Sequence, residues 1–265
     1  MTISSTTAQS STLTNKAVPQ HYKIEDSRLE DRFQKTYFML RGGVATLGGL
    51  LPLLLYGDAK LRAGVGLQAS MSAYYYAGNG VARDIFVGVL VAVGAALFLY
   101  RGFSRAEDVA LNFAGVFAVA VAMFPMQWQC GANCTWWSVH GTAAVLFFLC
   151  IAYVCLARAT DTLVLLKDDK KIKRYKAWYY ITGTSMVVSP FAAVIVSAVL
   201  QRRDGESSQV FFIETFAVLS FAAYWIAKSI ELKGTRAAEQ AAAGGLQRAK
   251  RHRRLWFDDA IVIPK

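Results

Sequence analysis

Asp84-Ile-Phe-Val-Gly-Val-Leu-Val-Ala-Val-Gly-Ala-Ala-Leu-Phe-Leu-Tyr100 carries one charge, on its first residue, and no other ionisable group before Tyr100. Coiled as a helix at 1.5 Å per residue it reaches roughly 25 Å, most of the hydrocarbon core of a bilayer. Membrane barrel strands alternate polar and apolar residues over about ten positions, and nothing here alternates. An apolar segment of this length, hydrophobic on every face, satisfies its backbone inside lipid only as a helix.

Working outward, five further blocks have the same character: about Tyr37–Tyr56, Asp108–Met126, Ser138–Ala157, Ala177–Leu200 and Val210–Leu232. The composition agrees. Of the 265 residues 55% are hydrophobic and only 18% charged, against about a quarter charged in a typical soluble domain. The expected fold class is therefore all-α: a polytopic membrane protein, a bundle of six transmembrane helices spanning residues 37–232. Residues 1–36 read as a polar N-terminal segment, disordered to about Glu30, and residues 233–265 as a basic C-terminal tail. The polar start has no signal-peptide pattern, so the first block is expected to stay as an anchor.

Orientation follows from the basic residues. Lys16, Lys23, Arg28, Arg32, Lys35 and Arg41 surround the entry to the first block. Arg158, Lys167, Lys170, Lys171, Lys173, Arg174 and Lys176 fill the link between the fourth and fifth, and Arg248 to Arg254 enrich the tail. The Gln127–Trp137 loop has none, and Gln201–Gln209 has only Arg202 and Arg203. The positive-inside rule then places both termini in the cytoplasm, as an even number of crossings allows. Net charge +11 is thus first a statement about topology. The tail stretch Gln247–Trp256 also suits anionic lipid headgroups at the inner surface, whereas nothing accompanies it that would make a nucleic-acid-binding fold.

Several local features carry expectations. Ser104-Arg-Ala-Glu107 fits a capping box opening the third helix, with Asp108 favourable beside it. Ala110, Ala114, Ala118 and Ala122 form a small-residue stripe that lets two helices approach closely. Pro190 is expected to kink the fifth helix, with Thr182, Thr184, Ser185 and Ser189 near the freed backbone groups. The loop after the first helix holds Tyr74, Tyr75 and Tyr76, and Ser70–Tyr76 is expected to dip into the interface as a short helix or re-entrant turn. Cys150 and Cys155 read as apolar packing residues. Cys130 and Cys134, on the oxidising side, suit a disulfide better than a metal site; Asn133 opens a weak glycosylation sequon.

Ionisable groups in hydrocarbon are costly and mark functional positions. Asp84, His140 and Glu214 each lie near the start of an even-numbered helix, so all three share the outer membrane level. Together they form a candidate acid–base cluster facing outward. Each also has a plainer reading: Asp84 as a helix-end charge, His140 in the aromatic belt after Trp136 and Trp137, Glu214 reaching up to the interface. A three-histidine zinc site is excluded, because His21 and His252 fall on the opposite side from His140. No nucleophile-elbow motif supports a serine hydrolase built on Ser70 or Ser72. No cofactor is expected.

Ser72-Ala-Tyr-Tyr-Tyr76 with Arg83-Asp84-Ile-Phe-Val-Gly88, Tyr100-Arg-Gly-Phe-Ser-Arg-Ala-Glu-Asp108, and Phe211-Phe-Ile-Glu214 with Ala223-Tyr-Trp-Ile226 resemble a family of bacterial six-helix membrane proteins of unknown function. That family is distantly similar to the Frag/DRAM/Sfk membrane proteins, some of which are linked to lipid or GPI-anchor handling. The resemblance covers about residues 37–232 and implies recurrent polar positions at Asp84, His140 and Glu214. It also implies residence in the bacterial inner membrane. Such proteins often place a histidine after the paired tyrosines; Tyr76 stands there instead, which argues against a metal-centred mechanism. The leading expectation is a protein that binds or modifies membrane lipid at an outward-facing polar pocket. The alternatives are a proton-coupled transporter or channel, and a structural partner in a membrane complex that docks through the alanine stripe.

Overall fold

The computed structural model describes residues 20–128, 137–201, 208–235, 247–250 and 259–262, with side chains for 31–128, 137–199 and 208–235. Six helices long and apolar enough to cross a membrane dominate it. They are α1 (Gln20–Ala63), α2 (Val81–Leu99), α3 (Arg105–Met123), α4 (Val139–Tyr153), α5 (Asp169–Gln201) and α6 (Gln209–Thr235). Each packs mainly on its neighbours in the chain, and α1 closes the ring against α6. A short antiparallel hairpin lies in the C-terminal segment: β1 (Gln247–Lys250) pairs with β2 (Asp259–Val262), Gln247 opposite Val262. The hairpin falls within the segment expected to be a basic tail.

The outer surface of the ring is apolar. Leu53, Phe98, Leu99, Phe113, Ile195, Phe212 and Phe216 are all exposed, a distribution that fits lipid and would be a large sticky patch in water. Close helix approach falls at glycines. A methyl group on Gly94 would meet the Gly115 carbonyl oxygen at 2.8 Å, and one on Gly115 would meet the Gly94 oxygen at 2.5 Å, so α2 and α3 touch backbone to backbone. The alanine stripe of α3 is buried along its whole length. The single chain covers that stripe itself, which leaves none of it for a partner helix.

Several helix limits differ from the expected ones. α1 begins at Gln20 rather than after a disordered prefix to Glu30: Leu29, Glu30, Asp31 and Arg32 are tolerable helix residues, and Lys35 pairs with Asp31 at 2.7 Å one turn away. α5 begins at Asp169, so the basic link Lys170–Lys176 is helical. α4 does not stop near Ala157. It continues through a π turn, Val154–Arg158, into a 3₁₀ stretch, Ala159–Leu165, which draws Arg158 and Thr162 into the interior. α5 runs unbroken through Pro190; Thr182 and Ser185 donate to the carbonyls of Trp178 and Ile181, both at 2.8 Å, upstream of the carbonyl that Pro190 leaves without a donor.

Candidate functional site

The bundle has two ends, and each carries polar groups. At the loop end, where α2, α4 and α6 begin, the expected re-entrant segment is present. The chain turns through a 3₁₀ helix, Ser72–Tyr75, with Ser70 to Tyr74 buried. α6 pins it. The Phe211 N–H donates to the Ala69 carbonyl at 2.9 Å, and the Met71 N–H donates to Glu214 Oε2 at 2.6 Å. On the other side the Tyr76 hydroxyl donates to the Met126 carbonyl at 2.9 Å and its ring stacks on Trp128. Burial raises the phenol of Tyr74 above its ordinary value, and the Gln68 N–H it accepts partly offsets this.

Asp84, His140 and Glu214 share this end but hold separate partners. Glu214 tethers the re-entrant turn as described. His140 Nδ1 lies 3.1 Å from the Val121 carbonyl and 2.9 Å from that of Phe124. Two carbonyl acceptors require the proton on Nδ1, so the ring caps the C-terminal carbonyls that α3 leaves unpaired. Asp84 sits in the first turn of α2 with its side chain 70% exposed and pairs with its neighbour Arg83, an arrangement worth little in water. Among the described residues no hydrogen bond or ion pair joins any two of the three. Cys130, Cys134, Asn133 and Trp136 lie outside the described residues, as does most of the basic tail.

The opposite end, where α1 enters and α6 finishes, holds a buried network of side chains from α5, α6 and the 3₁₀ stretch that follows α4. Its centre is Lys228 and Glu231, one turn apart on α6, each 1% exposed, with Nζ and Oε2 at 2.9 Å. Lys228 also donates to the Ala159 carbonyl (2.9 Å) and to Thr162 Oγ1. Thr162 donates in turn to Glu231 Oε1, and the Tyr179 hydroxyl of α5 donates to Glu231 Oε2. The amine stands 5.3 Å from the centre of the Tyr179 ring, a favourable cation–π placement. Both carboxylate oxygens and the amine are therefore satisfied without water.

Around this pair lies a second layer at the foot of α3. Ser104 caps the helix, accepting from the Glu107 N–H at 3.2 Å as the sequence led us to expect. The Glu107 carboxylate accepts from the Phe103 N–H at 2.8 Å, and Asp108 accepts from the Gly102 N–H at 2.6 Å. Arg158 donates through Nε to Ser104 Oγ at 3.0 Å and pairs with Asp161 at 2.8 Å. Towards α1, Arg41 donates from Nη1 to the Tyr100 hydroxyl at 3.3 Å. Tyr100 is itself buried, so Arg41 faces a phenol hydroxyl rather than a carboxylate.

Among the described residues, three cations (Arg41, Arg158, Lys228) and four carboxylates (Glu107, Asp108, Asp161, Glu231) thus lie at this end of the membrane-spanning bundle. No group of three or more His, Cys, Asp or Glu side chains among the described residues is arranged to hold a metal ion. Sequence reasoning took Arg41 and Arg158 as topology markers and Glu107 and Asp108 as capping groups, and it passed over Lys228 and Glu231. The signal was present: a lysine and a glutamate at i,i+3 inside an apolar block satisfy the same criterion that singled out Glu214. Compared with known family models, curated proteins and solved structures, the chain matches none of them.

Proposed function

We propose that this integral membrane protein exchanges protons through the Lys228–Glu231 network, as a proton-coupled transporter or channel of the cell membrane. The observation that carries the reading is the buried pair itself, closed by two hydroxyls from other helices. A buried ion pair is a poor way to stabilise a fold, since its desolvation cannot be recovered unless the geometry is very good, and well-packed apolar residues often do as well or better. In membranes such groups concentrate on ion and proton pathways. Here an amine, a threonine hydroxyl, a carboxylate and a tyrosine hydroxyl stand in unbroken hydrogen-bond contact, so a proton leaving one oxygen finds the next acceptor already placed.

The distribution of basic residues supports putting this end at the cytoplasmic face. Glu214, about 25 Å away along α6 at 1.5 Å per residue, then lies near the opposite face as the tether of the re-entrant turn. A lipid-handling pocket at the loop end has less support, because Asp84, His140 and Glu214 each answer to a different partner.

Reconstitution into liposomes with a trapped pH-sensitive dye tests the proposal. Under an imposed pH gradient, with potassium and valinomycin clamping the voltage, the wild-type protein is expected to let protons through. Glu231→Gln keeps the side-chain shape but has no carboxylate to take up a proton, and should slow this at least about tenfold. Wild-type vesicles as tight as empty ones, or a Glu231→Gln protein as fast as wild type, would defeat the reading.

A further inference from the structure

Arg41 lies two turns inside α1 from the exposed Phe33, is 1% exposed, and has no carboxylate partner among the described residues. Its Nε is buried without an acceptor. A guanidinium in a protein keeps its charge. A buried, unpaired charge in a membrane protein calls for a counter-ion. The side chains around it also have hydrogen-bonding groups to spare. Trp225 Nε1, the Tyr224 hydroxyl and the Ser229 hydroxyl are all buried and unpartnered.

These groups form one neighbourhood. The Tyr100 ring, whose hydroxyl Arg41 holds, packs edge-on to Trp225 at 5.3 Å, and Trp225 packs against Tyr224 at 5.4 Å. α1 and α6 run antiparallel, with Gly49 against Ala222, Gly48 against Phe221 and Phe38 against Lys233. That register sets Arg41 level with Ser229 along the two helices. Glu107, at the foot of α3, spends its carboxylate on the Phe103 N–H. One guanidinium Nε, one indole N–H and two hydroxyls at this end of the bundle are therefore buried with no hydrogen-bond partner among the described residues.

We propose that Arg41, Trp225, Tyr224 and Ser229 form a binding site for a phosphate oxyanion, carried by a lipid headgroup or by free phosphate. The chemistry fits: a phosphate offers several strong acceptor oxygens, and a guanidinium fork pairs with two of them at once. An indole N–H can only donate, so it selects an acceptor and rejects a cation. The site is distinct from the Lys228–Glu231 pair, which is already satisfied, and it stands whether or not protons move there.

Two arms separate the sources. In the first, protein in phosphatidylcholine nanodiscs is titrated with radiolabelled inorganic phosphate. In the second, delipidated protein is titrated with phosphatidylglycerol and bound lipid is counted by native mass spectrometry. Saturable binding is expected in one arm, and Arg41→Gln should weaken it at least about tenfold, the loss of a single charge-assisted contact. Trp225→Phe keeps the ring and deletes only the N–H donor, so it should weaken binding by a smaller factor and decides the matter if Arg41→Gln does not fold. The proposal is overturned if neither probe binds, or if binding survives both substitutions unchanged.

Discussion

Lys228→Met is expected to lower the stability of the detergent-solubilised protein by about 3–5 kcal/mol, the usual result of removing one partner from a buried ion pair. The substitution strips Glu231 of its cation and removes the amine's hydrogen bond to the Ala159 carbonyl, all at a site closed to water. Methionine fills most of the lysine volume, so the loss is electrostatic rather than a cavity. Adding Glu231→Gln should restore more than half of it. Glutamine carries no charge and still offers an oxygen to Thr162 or Tyr179, so the double variant removes the orphaned carboxylate and not the fold's geometry. Thermal unfolding followed by a thiol-reactive dye reads this directly, since Cys155 is buried and free until the bundle opens. A single variant within about 1 kcal/mol of wild type would mean that the pair is not dry.

Gly115→Ala should cost about 3 kcal/mol in the same assay, at the upper end for overpacking. The added methyl would sit 2.5 Å from the Gly94 oxygen and 3.1 Å from the Phe98 nitrogen, both backbone atoms of α2 that no rotamer change can move aside. Helices α2 and α3 would have to part, and α3 carries Glu107 and the Ser104 cap at its foot. Gly88, one to two turns before Gly94 on the same helix, makes a control. A methyl there meets nothing within 4 Å, so Gly88→Ala should be neutral or gain up to about 1 kcal/mol from helix propensity. If the two substitutions behave alike, the close crossing of α2 and α3 is not where the structure puts it.

The sequence disclosed the bundle because lipid imposes length and hydropathy on each crossing separately, and each block can be read alone. It also disclosed features local to one segment: Ser104 as a cap, the buried turn at Ser72–Tyr75, the alanine stripe on α3. What it hid depends on contacts between segments. Arg158 looks like a loop charge until α4 is seen to continue past it, and a π turn has no pattern to announce it. Tyr100 and Tyr179 look like interfacial tyrosines until their rings are found against Trp225 and Tyr224. Shared depth suggested that Asp84, His140 and Glu214 might meet, yet depth says nothing about which helix face turns inward. Lys228 and Glu231 are the instructive case. Their neighbours are apolar enough to carry the window, and the pair was therefore legible as a span before it was legible as a site.

The most direct measurement is the charge that moves when a reconstituted membrane on a solid support meets a pH jump. The wild-type protein is predicted to give a transient current as protons enter or leave the buried network, and Glu231→Gln to abolish it while Glu214→Gln leaves most of it intact. Currents of equal size from wild type and Glu231→Gln would contradict the assignment of proton exchange to this end of the bundle.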